Sequence, residues 1–312
     1  MLLLTGASGY LGRALAQGLT AHNFDVITAG RHRDAVSRLP WRELDLAKSA
    51  HARKALAGVE QVIHCAGIAH NNGALADYDR INVKGTLILA DAALCHGVRR
   101  FVFVSSLNVV PADSDSAELP VDHYPVPKNA YAASKWQAEH QLKALLAGSD
   151  CELIIVRPAL LYGRALVANL ALFRKIAKRL PLALPNVGTR SMVARADLVA
   201  LLCAIAASPL PKPQACAMQL HIAAVDGHCY SARAISGVLA GAGAWQIPLP
   251  SWCWRTLAHV WDRYQGLPFG RTWSSLSDNH WCADAQGQRF GVPRYAWQPQ
   301  HTFESLMAES LE

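Results

Sequence analysis

The tightest constraint on this chain lies at its start, where the apolar run Met1–Thr5 feeds into Gly6-Ala7-Ser8-Gly9-Tyr10-Leu11-Gly12. Leu11, Leu15 and Leu19 then recur at helical spacing. A buried strand, a glycine turn and a helix make one βα unit. Gly6 permits the tight turn, Gly9 lets backbone approach a pyrophosphate, and Gly12 lets helix pack on strand. The helix start offers unpaired N–H groups and the positive end of its dipole to phosphates. Gly6, Ser8, Gly9, Tyr10, Leu11 and Gly12 are therefore the candidate dinucleotide contacts of this turn.

Asp25–Gly30, Val59–Cys65, Arg100–Ser106 and Glu152–Arg157 read as further apolar strands, with helical stretches between them. That alternation predicts an α/β fold with a parallel, doubly wound sheet, which binds ligands beyond the carboxyl ends of its strands. The second strand ends in Gly30-Arg31 instead of an acidic residue. An acid there would take a ribose 2′-hydroxyl, whereas arginine suits a 2′-phosphate, so Arg31 tilts the expectation to NADP while leaving NAD open. Asp45-Leu46 follows at the right place to edge the adenine. After the next strand, Ala66 and Gly67 are small enough for backbone to lie close to the cofactor.

Tyr131-Ala132-Ala133-Ser134-Lys135 opens a helix that the periodicity ends at Gly148. Residues four apart share a face, so Tyr131 and Lys135 point the same way. A nearby cation is expected to lower the phenol from about 10 toward neutrality. Such a tyrosine can exchange a proton with an alcohol or ketone. Ser106, ending the fourth strand, is placed to hydrogen-bond the same oxygen.

With 312 residues, 52% hydrophobic and 17% charged, the chain has material for a large core and too little charge for disorder. The formal charge of +7 is scattered, which argues against a nucleic-acid footprint. Eight cysteines and thirteen histidines show no metal-ligand spacing, so no metal is expected, and most cysteines read as small buried hydrophobes. No apolar stretch approaches the ~20 residues of a membrane span, and the N-terminal run is too short for a signal peptide. A cytoplasmic protein without a membrane partner is the expectation.

Thr5-Gly-x-x-Gly-x-x-Gly12, Asp45-Leu46, Asn82, Ser106, Tyr131-x-x-x-Lys135 and Arg157-Pro158, in this order, resemble the extended short-chain dehydrogenase/reductase family over nearly the whole chain. The resemblance implies a Rossmann-like domain with a smaller, mixed α/β C-terminal substrate domain. It implies Ser106 as the donor that orients the substrate oxygen and Tyr131 as acid/base. Lys135 would tune the tyrosine and bind the nicotinamide ribose, with Asn82, Ser105 and Pro158 on the cofactor side. Val109-Val110-Pro111 departs from the Val-Tyr-Gly that many members show, which touches the loop over the substrate.

Beyond Gly163 prolines multiply, Asn169–Pro181 has helical periodicity, and Arg190–Leu198 is similar to the bacterial nucleotide-sugar branch of 4-epimerases and 4-ketosugar reductases. That branch implies Asn169, Arg190 and Arg271 as ligands of a sugar-nucleotide diphosphate, to which arginine offers two parallel N–H groups. The expected domains are 1–163 plus about 189–228 for the dinucleotide, and 164–188 plus about 229–312 for the substrate. A homodimer is implied by the family. The expected activity is hydride transfer at C4 of a nucleotide sugar. A reductase of an apolar, steroid- or flavonoid-like substrate would leave Asn169 and Arg190 without a diphosphate. A non-catalytic NAD(P) sensor would have lost the Ser/Tyr/Lys group, which is intact. A dehydratase would want an added acid/base pair, and Leu107-Asn108 offers no carboxylate. The seven tryptophans after residue 240 read as core and lid packing.

Overall fold

The computed structural model describes residues 1–33, 38–68, 75–164, 166, 170, 174, 182–212, 218–241, 246–282 and 292–309. Its strands in chain order are β1 (Leu2–Thr5), β2 (Val26–Gly30), β3 (Trp41–Glu43), β4 (Gln61–His64), β5 (Arg100–Val104) and β6 (Glu152–Pro158). Then come β7 (Leu160–Tyr162), β8 (Leu182–Ala183), β9 (Thr189–Ala194), β10 (Gln219–Ala224), β11 (Cys229–Ser231) and β12 (Ile247–Pro248). Seven of them form one parallel sheet in the order β10-β6-β5-β4-β1-β2-β3. β5 and β6 are buried along their whole length, as near-continuous apolar strands with helices on both faces must be.

The five strands expected from apolar runs are present, each with ends shifted by a residue or two. Two strands of the large sheet gave no such signal. β3 is a three-residue edge strand, Trp-Arg-Glu, with no fully buried position. β10 returns to the sheet after a long excursion and reads as Gln-Leu-His-Ile-Ala-Ala. Apolar packing lies on both sheet faces: Leu15, Val102, Ile154 and Leu201 on one, Leu3, Val62, Leu89 and Phe101 on the other.

β9 does not join the large sheet. It pairs with β7 in parallel and with β11 antiparallel, over a core of Tyr162, Met192, Tyr230 and Phe303. β8 and β12 form a separate parallel pair. The closing helix is Phe303–Ala308, started by a reciprocal Thr302/Ser305 cap.

At the amino ends of β5 and β6 the buried Arg100 meets Glu152 at 2.7 Å and donates to the carbonyls of Ile205, Ser208 and Pro209. This cation satisfies the end of the Arg195–Ala207 helix, far from the open carboxyl ends. Ligand binding belongs at those carboxyl ends, between β1 and β4, where the strand order reverses.

Candidate active site

The glycine turn after β1 is built as its spacing requires. Gly6 has φ +73°, and a Cβ on it would stand 2.7 Å from the backbone nitrogen of Ala66. The loops after β1 and β4 thus touch. A Cβ on Gly12 would lie 2.1 Å from the Gly6 carbonyl, so helix and turn close up only because both are glycine. Ser8 and Gly9 are exposed, and no side chain caps the Tyr10–Ala21 helix. With no side-chain cap in place, the Leu11 and Gly12 N–H groups face the turn, and the cradle fits a dinucleotide. The Tyr10 ring lies under the Arg195 guanidinium, 4.3 Å away. The Leu11 side chain is in the core, so a cofactor contact there falls to its backbone.

Arg31 is exposed just beyond the end of β2. Asp45 follows β3 and receives the Ala47 N–H at 3.1 Å, while Leu46 is buried under Gly85, where a Cβ would be 2.8 Å away. β2 and β3 are neighbours in the sheet, so Arg31 and Asp45 follow adjacent strand ends.

The segment after β4 is joined to the Tyr131 helix by Asn82. Its Oδ1 accepts from the Ile68 N–H at 2.8 Å, and its amide donates to the Ile68 carbonyl and to Ser134 Oγ. Asn82 sits in a π-helical turn, Tyr78–Lys84, an irregularity that recurs at functional sites. Beneath it His64 bridges Thr5 and Thr86 at 2.7 and 2.9 Å. Thr86 donates to the Asn82 carbonyl, so it accepts from His64 Nε2–H, and Thr5 donates to Nδ1. Burial, aided by Lys135, pushes this imidazole down to about 3. It is a neutral strut.

The Ala130–Leu145 helix starts at Asn129, whose side chain accepts the Ala132 N–H. It stops as expected, with Gly148 at φ +70° shortly after its end. Ser106, at the end of β5, stands beside the Tyr131 phenol and favours its ionised form. Lys135 is buried, donates from Nζ to the Val104 carbonyl at 2.9 Å, and lies 4.6 Å over the Phe103 ring. A Cβ on Gly67 would be 3.0 Å from Asn82 Oδ1 and 3.5 Å from Lys135 Nζ. Ser106, Tyr131, Lys135, Asn82, Ala66 and Gly67 thus converge at one open sheet end.

The electrostatics reverse one expectation. Burial pushes the Tyr131 phenol up to about 12, opposed by the neighbouring Ser106 and reinforced by the Tyr78 phenol. The same burial pushes Lys135 down to about 8, opposed by Cys65 and Glu139. Desolvation is the largest influence on the phenol, and the tyrosine holds its proton.

Ser105 also differs from expectation. It points at Glu139, donating at 2.5 Å, which leaves only its backbone for a cofactor. Glu139 is fully buried against Arg157, and Arg157 Nη1 donates to the carbonyls of Ala117 and Leu119. Trp136 donates to the Tyr124 carbonyl, while His140 and Lys143 hold Asp122. The loop between Ser106 and the Tyr131 helix is therefore pinned to that helix and to β6. Sequence reasoning passed over Glu139, although a carboxylate four residues after Lys135 on an inward face must find a partner. Pro158 closes β6 next to this clamp.

Arg190, on β9, is half-buried and donates to the carbonyls of Ser275 and Leu276 at 3.2 Å, while its Nε is buried without a partner. Those carbonyls belong to the Arg271–Ser277 helix, whose first residue is the half-buried Arg271. Arg190 is thus tied to the last turn of the helix that Arg271 begins. Asn169 lies outside the described residues. Trp281 and Trp297 are buried as expected, but Trp252 and Trp261 are exposed. Of the seven described cysteines two are buried and two exposed, and all are free. Among the described residues no group of His, Cys, Asp or Glu could hold a metal ion, and no helix is long and apolar enough to cross a membrane.

Residues 2–214 match the model of the NAD dependent epimerase/dehydratase family. A curated UDP-glucose 4-epimerase of Vibrio cholerae is 32% identical over 277 residues, covering 84% of this chain and 82% of that one. A 2-alkyl-3-oxoalkanoate reductase of Stenotrophomonas maltophilia is 32% identical over 171 residues, about half of each chain. Among solved structures, MoeE5 in complex with UDP-glucose and NAD superposes with a TM-score of 0.74 at 18% identity, covering 99% of this chain and 97% of that one. The Thermus thermophilus UDP-glucose 4-epimerase complex with NAD gives 0.71 at 19% identity, with the same coverage. These likenesses share the Rossmann-like fold.

Proposed function

The chain belongs to the NAD dependent epimerase/dehydratase family, and from that premise we propose that this enzyme moves a hydride at C4 of a nucleotide-diphosphate sugar. The observation that carries the proposal is the convergence of Ser106, the Tyr131 phenol and a buried Lys135 at the open end of the sheet. When bound against Gly6–Gly12, Ala66 and Gly67, the nicotinamide cofactor supplies the hydride chemistry. Tyr131 exchanges the proton of the C4 oxygen, Ser106 holds that oxygen, and Lys135 supplies positive charge beneath both. Arg190 and Arg271, with Asn169, hold the diphosphate. Returning hydrogen to the opposite sugar face gives 4-epimerisation, and starting from a 4-ketosugar gives reduction. Arg31 supports NADP and the reductase, while the similarity to a 4-epimerase over 84% of the chain supports NAD and epimerisation. Asn108 and the buried Leu107 follow Ser106, so no carboxylate stands there for a dehydratase, which weighs against that reading.

Releasing bound nucleotide from freshly purified protein and identifying it by mass spectrometry tests the branch: retained NAD means an epimerase, an empty site preferring NADPH a reductase. The substrate class is read from thermal stabilisation by UDP or dTDP. No shift with either sinks the nucleotide-sugar assignment and favours an apolar ketone, which the similarity to a 2-alkyl-3-oxoalkanoate reductase keeps as the second reading.

A further inference from the structure

The Ser251–Tyr264 helix is amphipathic in the inverted sense. Its inward side is narrow: Ala258 and Asp262 are buried, and Trp254 packs on Leu184, Ala232 and Leu276. Leu257, Val260, Trp261 and Tyr264 follow one another at i, i+3, i+4 and i+7, the spacing of an apolar stripe, and all four face solvent. Trp252 on the flank is 67% exposed, Tyr264 80%, and Phe269 in the following turn 82%. Half of the molecule's exposed large hydrophobics among the described residues fall in this one segment. Isolated apolar side chains on a surface need no explanation, but a contiguous aromatic patch of this kind does.

Charge decides what fits it. From Gly227 to Ser277 the chain carries four arginines and a single carboxylate, Asp262. That carboxylate is buried and committed to Thr272, accepting from its N–H and, at 2.5 Å, from its hydroxyl. Arg255 and Arg263 are exposed on the same helix. The outward surface therefore combines indole and phenol rings, aliphatic side chains and cations, with no exposed acid along the helix. A second copy docking face to face would set these arginines against their like. An anionic lipid headgroup layer complements them, and Trp and Tyr rings settle at the depth where apolar chains meet headgroups.

We propose that the outward face of the Ser251–Tyr264 helix, with Phe269, is a docking surface for anionic lipid, by which the protein lies peripherally on a membrane. At 14 residues the helix is about 21 Å long, suited to lying in the plane of the interface and too short to span it. Through Asp262 and Thr272 the docked helix braces the Arg271–Ser277 helix, whose carbonyls anchor Arg190. The inference runs against the sequence-based expectation of no membrane partner, and it does not depend on the substrate assigned above.

The test is flotation of the full-length protein with two kinds of vesicle: phosphatidylcholine alone, and phosphatidylcholine with about a third phosphatidylglycerol. The expected result is recovery with the anionic vesicles only, weakened by added salt. The double variants L257E/W261E and R255E/R263E should each reduce the bound fraction about tenfold. Their melting temperature and turnover of soluble substrate should stay unchanged, because these side chains stand in solvent. Failure of the wild type to float with anionic vesicles at low salt overturns the proposal, as does undiminished binding by L257E/W261E. A lipid-free dimer that sedimentation velocity shows dissociating on L257E/W261E would make the face a subunit contact and overturn it equally.

Discussion

Arg157 meets Glu139 inside the protein, Nη2 to Oε2 at 2.5 Å, with both side chains sealed from solvent. The pair links β6 to the helix that carries Tyr131 and Lys135, and its remaining guanidinium nitrogen holds the 117–119 backbone. Ser105 adds a third contact to the same carboxylate. One buried ion pair thereby sets the distance between the proton-transfer helix and the loop that follows Ser106.

Removing one partner leaves the other charge buried alone. Arg157→Ala should therefore cost about 3–5 kcal/mol in urea-induced unfolding. Glu139→Gln, which keeps hydrogen-bonding capacity, should cost less and raise KM more than it lowers kcat. An R157A protein as stable as wild type would show that the pair does not hold the fold together.

Lys135 supplies a pH signature. Its folded value, about 8, lies below its ordinary 10.5, so between these limits the unfolded chain binds more protons than the folded one. Stability must then rise with pH across that window, because the cost of burying the ammonium is relieved as it deprotonates. The ligand-free protein should gain stability from about pH 8 to 10.5 relative to Lys135→Met, which should be inactive. Parallel stability curves for the two proteins would contradict the burial of this charge.

Tyr131→Phe removes the proton carrier but little volume. It should lower kcat by about 10²–10⁴-fold while cofactor affinity, followed by NADH fluorescence, changes little. Ser106→Ala should also lower kcat, through loss of the hydroxyl that steadies the same oxygen.

The glycines separate folding from binding. A Cβ at Gly12 meets the Gly6 carbonyl at 2.1 Å, whereas one at Gly9 comes no closer than 3.2 Å. Gly12→Ala should cost about 1–3 kcal/mol of stability and abolish cofactor binding. Gly9→Ala should melt near the wild-type temperature yet bind NAD(P)H poorly, since its methyl group crowds the pyrophosphate. Equal destabilisation of both variants would remove Gly9 from the cofactor cradle.

Much of this architecture was legible in the chain. The five longer parallel strands announced themselves as apolar runs, and the Tyr131 helix by its glycine stop. The β3 edge was invisible because a three-residue Trp-Arg-Glu strand buries no complete side chain. β10 was obscured because its neighbour β6 lies some sixty residues earlier, beyond the reach of any local pattern.

Local chemistry along the chain sets the glycine turn, the helical spacing of Tyr131 and Lys135, and the serine at a strand end. These follow from steric limits and side-chain periodicity, which act over a few residues. Long-range packing, in contrast, clamps Glu139 with Arg157, turns Ser105 from the cofactor side to Glu139, and leaves Tyr131 its proton. It also turns the aromatic stripe of the Ser251–Tyr264 helix to the outside. Desolvation, charge pairing and exposure depend on which distant segments pack together, and the local pattern of a chain does not carry that information.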